Sequence, residues 1–376
     1  MEITPEQAKR ILRTLYKKED KESALLLGPI GIGKSELIRQ FAEETAKELE
    51  KEFIDYSDDN LNKILENPEK YFVFVDIRLT EIEPSDLIGI PRDSNEHVIY
   101  KPLGWGRALS KAAGVLFLDE ITNVQRLDVQ AAMYKLLLDR KVGFIKLNRN
   151  VLVAAAGNRP EDSAIANMLP APAINRARRF KIRSPTLDEW IEYMNRYDSW
   201  DRRVAGFLKR FSQYLISQRV DQETLEQFPS PRKWTHLALV SENLDLEDLE
   251  VISDAEVGPE AAAHFMAFAK TKIPDLNKII KKPELYNNLE EEQKYFCVVQ
   301  MSSKIFNEIK ENKFDAKKYR KFLGNLYKRD REGLTLMAFL MPFKERSKLV
   351  KFIDETGMEK IVDFFFDLYT KQKAIE

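Results

Sequence analysis

Short apolar runs alternate with helix-like repeats along the first half of the chain. The runs are continuous rather than alternating, which is typical of strands buried on both faces of a sheet. Between them, apolar residues recur every three or four positions, as they do from Ser35 onward. This alternation predicts an α/β fold, with a parallel sheet flanked by helices. The predicted strands are Ala24–Leu27, Tyr71–Val75, Val115–Leu118, Val151–Ala156 and Arg179–Ile182.

Two stretches break this rhythm and read as insertions on the α/β core. Residues 97–100 follow a turn-rich segment and are expected to form one arm of a small hairpin. Residues 141–147 read as a strand that turns at 148–150 and returns from Val151. This second hairpin would bring Lys146 and Arg149 near its tip, where they could contact a substrate.

The second half of the chain is predicted to be helical throughout. The α/β pattern ends near Arg183, because Ser184-Pro185 interrupts it. Amphipathic helical patterns follow at 187–197, 204–217 and 234–244, separated by polar or proline-containing breaks. The acidic stretch from Glu242 to Glu256 is expected to face solvent or to link two groups of helices.

Composition narrows the classes of function. The chain has 60 Lys and Arg against 61 Asp and Glu, so its net charge of -1 provides no overall basic field for nucleic acid, although a local patch remains possible. The single cysteine, Cys297, excludes an intramolecular disulfide and a zinc cluster. No apolar run reaches the ~18 residues of a membrane span, and the N-terminus lacks a signal-peptide pattern, so a cytoplasmic protein is expected.

The strongest chemical signal is a glycine-rich loop between the first predicted strand and the helix after it. It fits G-x4-G-K-[ST], a loop whose backbone N–H groups cradle phosphate oxygens at a helix N-terminus. In this chemistry the lysine contacts the β- and γ-phosphates, and the hydroxyl ligates Mg²⁺. The loop residues are Gly28, Pro29, Ile30, Gly31, Ile32, Gly33, Lys34 and Ser35.

A pair of carboxylates, Asp119 and Glu120, ends a second buried strand. Ligand sites of open α/β sheets lie at the carboxyl ends of the strands, so this pair is expected beside the phosphate loop. Asp119 would hold Mg²⁺, and Glu120 would orient or deprotonate an attacking water. The pair therefore favours hydrolysis of a nucleoside triphosphate.

With these motifs in place, residues 24–240 resemble the AAA+ ATPases, and within them the MoxR-like, dynein-related (midasin-like) group. The resemblance is carried by GPIGIGKS, VLFLDE, VLVAAAGN, PAINRARRFKI, SPTLDEW and FPSPRKW. It implies an α/β nucleotide-binding domain over residues 1–183. An α-helical lid over 184–250 and a C-terminal helical extension over 251–376 would follow.

The resemblance also assigns three residues beyond the two motifs. Asn158 matches sensor 1, which contacts the γ-phosphate and the attacking water. Arg176 matches the arginine finger that completes the site of a neighbouring subunit, with Arg178 and Arg179 close enough to be alternatives. Arg232 matches sensor 2, which senses the γ-phosphate from the lid.

What the resemblance implies for function is Mg²⁺-dependent ATP hydrolysis in a homo-oligomeric ring, usually a hexamer, that remodels a partner protein. A co-operating protein with a von Willebrand factor A domain is a further expectation of the same kind. Two alternatives stay open: a nucleotide-gated assembly module with negligible turnover, and a motor of the DNA translocase or helicase type. The choice between ATP and GTP is open as well, because no base-reading motif is evident.

Overall fold

The computed structural model describes residues 1–18, 22–94, 97–159, 177–216, 227–341 and 343–373. The chain divides into two compact units, Met1–Pro185 and Thr186–Glu376. We call them the α/β unit and the helical unit. The division falls at the Ser184-Pro185 break, two residues beyond Arg183.

In the described part of the α/β unit, seven parallel strands form one sheet. The strands are β1 Glu2–Ile3, β2 Ala24–Leu27, β3 Glu52–Asp55, β4 Tyr71–Arg78, β7 Ala113–Asp119, β10 Val151–Gly157 and β11 Arg178–Ile182. Their order across the sheet is β1-β11-β2-β10-β7-β4-β3. The predicted α/β fold is confirmed, and all five predicted strands belong to this sheet. The sequence did not predict the edge strands β1 and β3, which are short and carry charged residues.

Helices cover both faces of the sheet, which accounts for the continuous apolar runs of its central strands. One face packs against the first two helices through a core that includes Ile38, Phe41 and Phe117. The other face packs through a separate core that includes Leu109 and Met133. The helices of this unit are α1 Pro5–Tyr16, α2 Lys34–Glu48, α3 Leu61–Glu66, α4 Pro84–Ile88, α5 Gly104–Lys111 and α6 Leu127–Asp139.

Two antiparallel hairpins are inserted in the α/β unit. The first pairs β5 Ile90–Ser94 with β6 His97–Lys101, so the expected arm at residues 97–100 is confirmed. The second pairs β8 Lys141–Val142 with β9 Ile145–Lys146.

The sequence interpretation of the second hairpin was wrong. Its turn is Gly143-Phe144, where Gly143 takes a left-handed φ of +58°. Glycine adopts this conformation without steric cost, and it suits the first position of a two-residue hairpin turn. Val151 pairs instead with Gly114 in the central sheet. Arg149 therefore lies in the turn before β10 and not at the hairpin tip, which is formed by Phe144.

The described part of the helical unit contains helices and short turns, as the sequence predicts. Its largest buried side chains include Trp190, Trp200 and Trp234, and one apolar core runs from Leu187 to Phe365. The division into a lid over 184–250 and an extension over 251–376 stays a prediction. The helices are α7 Leu187–Met194, α8 Arg202–Arg210, α9 Pro231–Val240, α10 Leu246–Val257, α11 Pro259–Ala269, α12 Leu276–Lys281, α13 Glu284–Asn287, α14 Glu291–Lys310, α15 Ala316–Arg329, α16 Arg331–Leu340, α17 Phe343–Asp354 and α18 Glu359–Lys373.

Across the ranges that the structure describes, no helix has both the length and the apolar character needed to cross a membrane.

Candidate nucleotide-binding site

The glycine-rich loop joins the carboxyl end of β2 to the start of α2, as its motif requires. Gly31 and Gly33 have φ values of +73° and +86°, in the left-handed region that favours glycine. A Cβ on Gly28 would lie 2.4 Å from the carbonyl oxygen of Ile182, so the neighbouring strand also requires glycine there. Within the described chain no side chain caps α2, and the N–H groups of its first turn are left to an anion.

Lys34 folds back over this loop. Its Nζ donates hydrogen bonds to the carbonyl oxygens of Gly28 and Pro29, at 2.8 and 2.7 Å. It also donates to Oδ1 of Asn158, at 3.0 Å. The lysine of the loop and the asparagine after β10 are therefore in direct contact although 124 residues separate them. A phosphate oxygen is a stronger acceptor for this ammonium group than a carbonyl, because the hydrogen bond is then ionic on both sides.

Ser35 and Asp119 meet on the same side of the sheet. The Ser35 hydroxyl donates to Oδ2 of Asp119 at 2.6 Å, and the Glu120 backbone N–H donates to Oδ1 of Asp119 at 2.8 Å. A hydroxyl and a carboxylate are hard oxygen ligands of the kind that Mg²⁺ prefers beside a triphosphate. The pair predicted from the sequence to hold magnesium is thus brought together and fits that ion.

Glu120 lies at a strained position just after β7. Its φ is +59°, which is uncommon for a residue with a Cβ and costs about 1–3 kcal/mol in typical cases. The hydroxyl of Thr80, after β4, donates to Oε2 of Glu120 at 3.1 Å. This bond fixes one carboxylate oxygen and leaves Oε1 to accept from a water. No sequence pattern points to Thr80, because it belongs to no motif and reaches Glu120 only because β4 lies beside β7.

Further charged side chains lie at or beside the carboxyl ends of β3 and β4. Arg39, on α2, donates to both carboxylate oxygens of Asp55 at 2.9 and 2.6 Å, and this pairing raises the pKa of Arg39. Desolvation, and then the negative charge of Asp119, raise the pKa of Asp76 above its ordinary value. The positive charges of Arg78 and Arg39 oppose this rise, so nearby arginines offset only part of the negative charge at this edge of the sheet.

The three arginines considered for the finger role have different outcomes. Arg176 lies outside the described residues. Arg178 forms an ion pair with Glu22, at 3.1 Å between Nε and Oε2. Arg179 is exposed on β11. The prediction that one of the three reaches a neighbouring subunit stays untested.

Arg232, the expected sensor 2, lies in the helical unit. It follows Pro231 at the start of α9, whose N-cap Ser230 accepts a hydrogen bond from the Lys233 N–H at 3.3 Å. The side chain of Arg232 is exposed, and within the described ranges it forms no hydrogen bond or ion pair. It is available to an anionic ligand, and its sensor role stays a prediction.

Residues 23–185 match the family model described as AAA domain (dynein-related subfamily). No curated protein matches the chain. The matched segment contains the glycine-rich loop, the acidic pair, Thr80 and Asn158, so the match and the geometry point to the same edge of the same sheet.

Proposed function

Because residues 23–185 form an AAA domain of the dynein-related subfamily, we propose that the chain hydrolyses ATP with Mg²⁺ in a ring of identical subunits and uses the reaction to remodel a partner protein. The observation that carries the proposal is the convergence of Lys34 with Asn158, and of Ser35 with Asp119, at the carboxyl ends of neighbouring strands. Each contact joins two motifs that are far apart in the sequence.

The residues divide the reaction between them. The N–H groups of the loop and the Lys34 ammonium bind the β- and γ-phosphates. Ser35 and Asp119 would hold Mg²⁺, whose charge offsets that of the phosphate oxygens. Asn158 would hydrogen-bond the γ-phosphate or the attacking water through its amide, and its contact with Lys34 supports that role.

Glu120 is the group proposed to take the proton of the attacking water. Its backbone conformation and the Thr80 hydroxyl fix the carboxylate before substrate arrives, which lowers the entropic cost of aligning it. A positioned general base contributes typically ~10²–10⁴-fold to a rate. Glutamate at this position would not be needed in a protein that only binds nucleotide and assembles.

Assembly into a ring, often a hexamer, would complete the site. In this proposal Arg176, or Arg178 or Arg179 nearby, reaches the γ-phosphate of a neighbouring copy and stabilises the charge of the transition state. Arg232 would approach the same phosphate from the helical unit. Arginines that stabilise such transition states in trans are worth ~10³–10⁵ in rate in other nucleotidases.

The partner protein is proposed to contact the two hairpins of the α/β unit. Phe144 at the tip of one hairpin is 77% exposed and packs on Tyr100 of the other, with 6.1 Å between the ring centroids. Val98, on the same strand as Tyr100, is 60% exposed. Exposed apolar clusters of this kind mark surfaces that bind protein partners, which favours a protein client. A co-operating protein with a von Willebrand factor A domain would be one such partner.

Mixing two inactive variants tests the proposed function. Glu120→Gln removes the base of a subunit's own site, whereas Arg176→Ala removes only what that subunit gives to its neighbour. We expect each variant alone to release little phosphate from Mg·ATP, and the mixture to recover part of the rate.

Two controls complete the design. Arg178→Ala and Arg179→Ala, mixed with Glu120→Gln in the same way, identify the finger if Arg176 is not the residue. If no arginine variant is complemented, and if wild-type turnover per subunit does not change with protein concentration, the trans-acting site is wrong.

A further inference from the structure

Three aspartates form a diagonal across neighbouring strands at the carboxyl edge of the sheet. Asp55 on β3 is level with Phe74 on β4, and Asp76 lies two residues beyond Phe74. Asp76 is in turn level with Phe117 on β7, and Asp119 lies two residues beyond Phe117. Each step moves one strand across and two residues along.

All three side chains point to the face of the sheet that α2 covers. Residues paired across parallel strands point to the same face, and positions two apart on one strand do so as well. Phe74 and Phe117 belong to the core beneath α2, so Asp55, Asp76 and Asp119 face the same helix. Alternation along β4 places Val75 and Ile77 on the opposite face, in the other core.

The two ends of the diagonal have partners on α2, one helical turn apart. Ser35 bonds Asp119, and Arg39 bonds both oxygens of Asp55. Asp76, between them, is exposed, and in the described part of the chain no hydrogen bond or ion pair holds its carboxylate. Two nearby cations lower the pKa of Asp76, Arg78 on the same strand and Arg39 on α2. Both form their hydrogen bonds elsewhere, Arg78 with Glu81 and Arg39 with Asp55.

A hydrated cation is the ligand that suits this carboxylate. A phosphate oxygen would be repelled by it, whereas water bound to Mg²⁺ is a strong hydrogen-bond donor. Mg²⁺ usually keeps several waters in nucleotide sites, because it loses them reluctantly. Asp76 lies one strand across from Asp119 and two residues short of its level, where it would reach the ion through such a water.

We propose that Asp76 is a positioning residue for magnesium, which accepts hydrogen bonds from water molecules of the ion held by Ser35 and Asp119. The inference rests on the proposed use of Mg·ATP at this site. The Arg39–Asp55 pair has a part in it, because the direct hydrogen bonds of Arg39 go to Asp55 and leave the Asp76 carboxylate to water. Removing an outer carboxylate of this kind typically lowers metal affinity by ~10–100-fold in other metal sites.

The test measures binding of a fluorescent ATP analogue to full-length Asp76→Asn, with excess Mg²⁺ and with EDTA instead. We expect the variant to need about tenfold more Mg²⁺ than wild type for half-maximal tightening of nucleotide binding. Without metal it should bind the analogue as well as wild type or more tightly, because one negative charge near the phosphates is gone. Asp93→Asn, on the first hairpin, removes the same charge elsewhere and should match wild type in both conditions.

Several results would overturn the inference. An unchanged Mg²⁺ requirement in Asp76→Asn is one, and an equal loss of affinity with and without Mg²⁺, which indicates a structural role, is another. Asp76→Glu keeps the carboxylate and should lie closer to wild type than Asp76→Asn does, so a Glu variant as weak as the Asn variant also contradicts it. If wild type binds nucleotide without any magnesium effect, the proposed function itself fails, which is a separate outcome.

Discussion

Lys34 in the α/β unit and Arg202 in the helical unit both donate hydrogen bonds to backbone carbonyl oxygens, but they differ in burial. Lys34 in the α/β unit is partly exposed and donates to carbonyl oxygens of its own loop and to the Asn158 amide. Arg202 in the helical unit is 2% exposed, donates to the carbonyl oxygens of Leu340 and Trp200, and lies 4.0 Å over the ring of Phe306. Desolvation lowers the pKa of Arg202 to about 9.

The difference shows what makes a polar group available for binding. The partners of Lys34 can be exchanged for phosphate oxygens, because the loop is open to solvent and phosphate is the better acceptor. Arg202 cannot exchange its partners without opening an apolar core, so its hydrogen bonds serve the fold. The α/β unit therefore keeps its exchangeable polar groups at one edge of the sheet, whereas the helical unit buries this one.

The largest predicted effect concerns Glu120, the proposed general base in the α/β unit. Glu120→Gln keeps the size of the side chain but cannot accept the proton of a water. We expect steady-state phosphate release to fall by about 10²–10⁴-fold, with nucleotide affinity retained. The free energy of unfolding, measured by thermal denaturation, should change by no more than about 0.5 kcal/mol, because Glu120 lies at the surface of the site. A variant that hydrolyses ATP at the wild-type rate would remove Glu120 from the reaction.

Arg202→Leu should have the opposite profile. The leucine side chain cannot donate a hydrogen bond, so the buried carbonyl oxygen of Leu340 loses its donor. We therefore expect the free energy of unfolding to fall by about 1–3 kcal/mol. Three of the four tryptophans lie in the helical unit, so urea unfolding followed by tryptophan fluorescence reports mainly on it. Nucleotide affinity should not change, and a variant with normal stability but weakened nucleotide binding would contradict the comparison.

The smallest predicted effect concerns Thr80. Thr80→Val removes the hydroxyl that fixes Glu120 but keeps the shape of the side chain. The bond is exposed to solvent, which weakens its charged character to about 1 kcal/mol, so phosphate release should fall by about fivefold with little change in nucleotide affinity. Thr80→Ser keeps the donor and should retain most of the rate. A rise in rate in Thr80→Val would mean that the bond restrains Glu120 instead of aligning it.

The sequence predicted those features of the fold that are continuous in the chain. The central strands were found because a strand covered on both faces is apolar at every position, as at Val151–Ala156. The edge strands Glu2–Ile3 and Glu52–Asp55 were missed, because an edge strand is partly exposed and carries charges. The hairpin was misread because Asn148-Arg149-Asn150 is a turn as well, but it leads into β10, whereas the hairpin turn is Gly143-Phe144.

Some residues of the candidate site could likewise be predicted from the sequence, and others could not. The glycine-rich loop and the acidic pair are local patterns whose chemistry can be read from spacing alone. Thr80 and Asp76 act through the register of β4 against β7, which depends on which strands become neighbours. Their roles could be inferred only after the sheet order was known.

The central claim is that a nucleoside triphosphate binds at the glycine-rich loop, and calorimetric titration of Mg·ATP into wild type and Lys34→Ala tests it most directly. Wild type should bind the nucleotide, and Lys34→Ala should bind it about 10–100-fold more weakly, as expected for the loss of a hydrogen bond from a charged group. Equal affinity in the two proteins, or no binding to wild type, would contradict the account.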